Sequence, residues 1–121
     1  MPQRYYFYMT SFLISSDIYR NTHYGGKHPL NIPRVGATLD LIKAMSWYDE
    51  AKFITAPIAK PSLLKKFHSN DYVNVLIEVD EKQEIDKNQS HKYNLGTPSN
   101  PIFKGMYKRP ATSVGGSVVA A

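Results

Sequence analysis

No cysteine occurs in the 121 residues, which excludes disulfides and thiolate metal sites together. The four histidines, His23, His28, His68 and His91, are scattered, and no two share the H-x-x-H or H-x-x-x-H spacing of a helical metal site. A transition-metal site is therefore not indicated by spacing. No apolar run approaches the roughly 20 residues of a membrane span. The opening "MPQRYYFYMTSFLISSD" lacks the charged n-region and small-residue cleavage site of a signal peptide. A soluble, cytoplasmic chain with no membrane partner is the expectation. There is no Gly-x-Ser-x-Gly elbow, and "YGGKHP" has neither the glycine spacing nor the Lys-Ser/Thr ending of a phosphate loop. Carboxylates are few, 10 against 15 Lys and Arg. Pairs such as Asp49-Glu50 and Asp80-Glu81 read as charged faces, so no paired acid/base site emerges.

The length fits one domain able to bury a core. The net charge of +5 raises the question of a nucleic-acid partner, but its distribution argues against one. Residues 1–75 hold nine Lys and Arg with five Asp and Glu, and residues 76–121 hold six with five. Only "KGMYKR" (104–109) is a local basic cluster, and short runs of that kind are usually solvated faces.

Along the chain, the aromatic and β-branched stretch 5–15 reads as a strand, with 10–14 its core, buried on both faces as in a parallel sheet. Residues 16–33 form a long loop with turn chemistry at Gly25-Gly26, Pro29 and Pro33. From Arg34 to about Ser46, Val35, Leu39 and Ile42, widened by Leu41 and Met45, predict an amphipathic helix entered through Pro33. A short strand over 51–59 follows, then a short helix over 60–69. Ser69 caps a further helix over 70–79 with Tyr72, Val75 and Leu76 on its inner stripe. The polar segment 80–92 reads as a surface loop, and 93–107 as a second loop with buried-type residues interleaved. Residues 112–121, small and apolar, form a helix-like run without capping glycine, basic last turn or polar tail. Strand and helix alternate, which argues for α/β layers around a parallel sheet. Two strands do not complete such a sheet, and the chain is expected to be the N-terminal part of a larger domain. No internal repeat or low-complexity segment is visible.

Arg34 stands out because its position is unfavourable. A cation near a helix N-terminus costs roughly 0.3–1 kcal/mol against the exposed N–H groups there. The bland explanation is an arginine that escapes into water. The functional one is a guanidinium whose donors hold loop carbonyls or an anion inside a cavity.

Three stretches, "YGGKHPLNIPRV" (24–35), "FHSNDYVNVL" (67–76) and "YNLGTPSNPIFKGMY…VGGSVVAA" (93–121), resemble in order and separation the N-terminal part of the histone deacetylase superfamily. The likeness is strongest to its prokaryotic acetoin utilization branch and covers nearly all of residues 10–121. The resemblance implies an arginase/deacetylase-like three-layer α/β/α fold with a parallel sheet. It also implies a zinc-dependent amidohydrolase that removes acetyl groups from lysine or related amines. The family's zinc ligands, proton-handling histidines and oxyanion tyrosine all lie downstream of the motif matched by "VGGSVVAA". No catalytic or metal residue is therefore carried onto this sequence, and no cofactor is expected in this chain, zinc belonging to the full-length family member.

Supporting positions do carry over. His28 and Pro29 match the mouth of the acyl-lysine tunnel. Arg34 matches an arginine beside the internal cavity beneath the zinc. Family deacetylases often have an aspartate in the 96–101 loop that grips the substrate backbone, and here Ser99 stands in its place. Asn31 replaces a lysine that some eukaryotic relatives use for a polyanionic cofactor, so that cofactor is not expected. Taken alone, residues 1–121 are expected to be inactive, with a homo-oligomer forming through an exposed sheet edge or the C-terminal helix. The alternatives are a degenerate or split-gene interaction module without catalysis and, behind it, a basic nucleic-acid-binding domain.

Overall fold

The computed structural model describes residues 11–21 and 24–121. Two strands, β1 (Leu13–Ser15) and β2 (Phe53–Thr55), pair in parallel with Leu13 opposite Phe53 and Ser15 opposite Thr55. Parallel strands need a long crossover. Here it carries α1 (Ile18–Asn21), a 3-10 turn at Pro29–Asn31, α2 (Arg34–Ala44) and a second 3-10 turn at Glu50–Lys52. Of the strand expected over 5–15 with 10–14 as its core, the part before residue 11 lies outside the described residues; the strand begins only at Leu13, and Leu13 and Ile14 are half-buried and not enclosed on both faces. The second strand is shorter than the 51–59 run, because Asp49 caps a 3-10 turn ahead of it and Pro57 has no N–H for a ladder.

Helix α3 (Pro61–Leu64) opens on proline, and α4 (Asn70–Lys82) follows. Ser69 caps α4, its Oγ accepting from the Tyr72 N–H at 3.3 Å, with Asp71 in the first turn as expected. The buried face of α4 is Val73, Val75, Val79 and Asp80; Tyr72 and Leu76 are half-buried beside it. Segment 80–92 is not the loop its polarity predicts. Helix α4 continues to Lys82, supported by the Lys82–Glu78 pair at 2.6 Å, and α5 (Lys87–Tyr93) begins at the Asp86 cap. Asp86 Oδ1 accepts from the Gln89 N–H at 2.8 Å, and Asn94 closes α5 in the left-handed region at φ 54°. A two-turn helix is too short for its apolar period to show.

The last helix, α6 (Lys108–Ala120), starts four residues before the small apolar run. It packs on β1 and α1. Gly115 and Gly116 permit the approach: a Cβ at Gly115 would overlap the carbonyl oxygen of Pro57, and one at Gly116 would lie 3.2 Å from Ala56 Cβ. The Ala59 N–H donates to the Ala111 carbonyl at 3.0 Å, tying the chain after β2 to this helix. A second core gathers Val75, Val79, Leu95 and Met106, with Tyr93, Ile102 and Phe103 against it.

Helix α2 departs from expectation. It ends at Ala44, and only Gly36 is buried, against the Arg20 side chain. Of the apolar face, Leu39 and Ile42 are half-buried, while Val35, Leu41 and Met45 are exposed.

Candidate functional site

The loop ahead of α2 is built by local chemistry. Gly25 adopts φ 94°, a left-handed turn that favours glycine, and the His28 N–H closes it by donating to the Gly25 carbonyl at 3.1 Å. Pro29 then opens the 3-10 turn, with His28 as its cap in extended conformation. The Leu30 N–H donates to His28 Nδ1 at 3.1 Å. A ring nitrogen that accepts carries no hydrogen, so the neutral imidazole holds its proton on Nε2. That nitrogen lies 3.3 Å from the Ser99 carbonyl oxygen and donates to it. Two residues singled out by resemblance, His28 and Ser99, thus meet across the chain.

Aromatic packing supports the contact. The Tyr24 ring stacks on His28 with centroids 4.8 Å apart and planes at 19°, and touches Phe103 at 4.6 Å. The Arg109 guanidinium lies 4.9 Å from the Tyr24 centroid and 5.6 Å from that of Tyr19. Its Nε is buried with no hydrogen-bond partner among the described residues, so the aromatic faces are its principal compensation.

The facing loop, residues 94–107, is self-tied at one end and anchored at the other. The Gly96 and Thr97 N–H groups both donate to the Asn100 carbonyl, at 2.8 and 3.2 Å. Asn100 returns two bonds, its N–H to Thr97 Oγ1 at 3.1 Å and its Nδ2 to the Asn94 carbonyl at 3.0 Å. At the far end the buried Asp80 carboxylate accepts from the N–H groups of Gly105 (2.6 Å), Tyr107 (3.1 Å) and Lys108 (3.3 Å). It satisfies donors at the start of α6, where Tyr107 offers no side-chain cap. The sequence reading put Asp80 on a charged face, and that is incorrect. The available signal was its spacing: seven residues after Val73, it falls on the inner stripe of α4.

A cavity of about 330 Å³ lies beside this array, lined by Tyr24, His68, Tyr72, Phe103, Tyr107 and Val114 among others. Its wall is mostly apolar. The Tyr107 hydroxyl is buried without a hydrogen-bond partner among the described residues, and burial pushes its pKa above the ordinary tyrosine range. His28, Pro29, Arg34 and Ser99 do not line this cavity. Pro29 is exposed next to His28. Arg34 opens α2 with an exposed side chain, and its guanidinium makes no hydrogen bond or ion pair among the described residues.

The histone deacetylase domain matches residues 28–121. The chain belongs to the histone deacetylase family. Acetoin utilization protein AcuC of Bacillus subtilis (strain 168) is 30% identical over 111 residues, 92% of this chain and 28% of that protein. Histone deacetylase HDAC1 of Drosophila melanogaster is 34% identical over 103 residues, 84% of this chain and 19% of that protein. A crystal structure of a deacetylase homologue from Aquifex aeolicus superposes with a TM-score of 0.87 at 34% identity, over 92% of this chain and 30% of that one. The same values hold for a deacetylase homologue complexed with SAHA. The fold is therefore the deacetylase α/β fold, and the chain spans less than a third of the relatives it matches.

The described residues do not fit a zinc ion of the kind the family uses. Among the described residues no three His, Asp or Glu side chains converge on one point. Both ring nitrogens of His28 are engaged, one by Leu30 and one by Ser99.

Proposed function

We propose that this chain is the N-terminal portion of a zinc-dependent, deacetylase-like amidohydrolase acting on acetylated lysine or a related acetylated amine. Its own part in the reaction is to shape and orient. His28 and Pro29 wall the mouth of the acyl tunnel, Ser99 faces the substrate from the opposite loop, and Arg34 serves an internal cavity completed by residues beyond this chain. The observation that carries the reading is the His28–Ser99 contact. It joins, at 3.3 Å, the two loops that the family resemblance assigns to the tunnel mouth, within a fold matched at a TM-score of 0.87.

Ser99 supplies a neutral hydroxyl where a carboxylate would grip a peptide backbone. Peptide substrates are accordingly held less tightly than in relatives with an aspartate there, and small acetylated amines are favoured.

The test is a deacetylase assay with metal analysis on the 121-residue chain beside a full-length family chain that carries it. No turnover and no bound zinc are expected for the short form, and both for the long one. Stoichiometric zinc or turnover in the 121-residue protein would overturn the proposal. A second reading, a non-catalytic interaction module in the cytoplasm, draws on the exposed Leu41, Met45 and Trp47 on and after α2 and Val118 on α6. Sedimentation separates the two: a concentration-independent dimer of the short chain, together with an inactive long form, favours the module.

A further inference from the structure

We infer that His28 is a positioning residue, one that sets the conformation of the Ser99 loop through its backbone by means of a fixed imidazole tautomer. Every other hydrogen bond made by residues 96–101 is internal to the loop or runs to its base at Asn94. The donation from His28 Nε2 to the Ser99 carbonyl is, among the described residues, the sole hydrogen bond that ties this loop to another element.

The tautomer is determined by geometry. Leu30 presents an N–H to Nδ1 because His28 caps the 3-10 turn, and a cap must accept. The proton is thereby left on Nε2, the nitrogen that faces Ser99. Tyr24, stacked at 4.8 Å, restrains the ring plane and is itself held by Phe103 and Arg109. One side chain therefore performs two jobs 71 positions apart in sequence: it accepts from its own loop and donates to the facing one.

This deepens the proposed function and rests on it only for the role of the loop. With the Ser99 carbonyl engaged by His28, position 99 offers substrate its exposed hydroxyl and not its backbone. The side chain at 99 can then change without the loop losing its shape, which makes residue 99 a specificity position and His28 the part that keeps it in place.

The contact is testable without catalysis. Long-range proton–nitrogen NMR on the labelled 121-residue chain is expected to show His28 as the Nε2–H tautomer. His28→Asn retains an acceptor for the Leu30 N–H but is too short to reach Ser99. Its amides at Gly96, Thr97 and Asn100 should exchange about fivefold faster, the loss of one hydrogen bond of about 1 kcal/mol. Leu30 and Asn31 should stay within about twofold. His28→Gln, with a longer carboxamide that can donate to the carbonyl, should restore most of the protection. An Nδ1–H tautomer in the unmodified chain overturns the inference even if the variants fail to fold. So does a folded His28→Asn variant whose 96–100 amides exchange as before. Failure of the deacetylase reading would appear in the turnover and zinc assay and would leave these spectra unchanged.

Discussion

Helices α2 and α4 are similar in length and were both expected to be amphipathic, yet they meet opposite fates. Helix α4 buries Val73 and Val79 to 2% and 1% exposure and closes a core with Leu95 and Met106. Helix α2 buries only a glycine, and leaves Leu41 at 55% exposure and Met45, just past its end, at 52%. The difference teaches that an apolar stripe specifies a face but not what covers it. The half of the molecule around α4 and the 94–107 loop contains its own partners. The half around α2 presents an apolar face to solvent, and the family members this chain matches are more than three times its length.

The comparison can be broken most severely at the seam of α6. Gly115→Ala places a methyl group on the Pro57 carbonyl, and is expected to destabilise by about 3 kcal/mol or more, read as a fall in the urea midpoint. Val79→Ala against Leu41→Ala sharpens the contrast directly. The first should cost about 2 kcal/mol through lost burial and a cavity, the second less than about 0.5 kcal/mol. Equal losses would mean that the α2 face is covered after all. Ser69→Ala should cost about 1 kcal/mol through the α4 cap and leave α2 untouched.

The smallest effect concerns pH. The Arg20 guanidinium bonded to Asp40 at 2.6 Å holds that carboxyl below its ordinary value of 3.8. Folding is thus favoured by the pair above pH 3.8, and the contribution fades as pH falls through the lowered value. Both groups are solvent-exposed, so Asp40→Asn should flatten the acid limb of the stability curve only slightly.

Much of this was legible in the sequence, for identifiable reasons. The Ser69 cap and its apolar stripe are local, and local chemistry survives folding. The likeness of "YGGKHPLNIPRV", "FHSNDYVNVL" and "YNLGTPSNPIF" to one family singled out His28, as a tunnel-mouth position, and Ser99, in place of a substrate-gripping aspartate, as candidates. Their contact was not legible, because it joins a side chain to a backbone carbonyl 71 residues away, and carbonyls have no letter in a sequence. Asp80 was misread because a carboxylate in a polar run is usually solvated. Only the three N–H groups converging on it from residues 105–108 reveal its role. Helix α5 was missed for lack of length, although Asp86 followed three residues later by Gln89 is a recognisable start signal.

Native-state hydrogen exchange on the 121-residue chain tests most directly whether the molecule is half self-contained and half uncovered. Amides of α4 at Val75 to Val79 should be protected at least about tenfold more strongly than those of α2 at Leu39 to Lys43. In a full-length family chain carrying the same residues, α2 should rise toward the protection of α4. Equal protection of the two helices in the 121-residue chain would contradict this division.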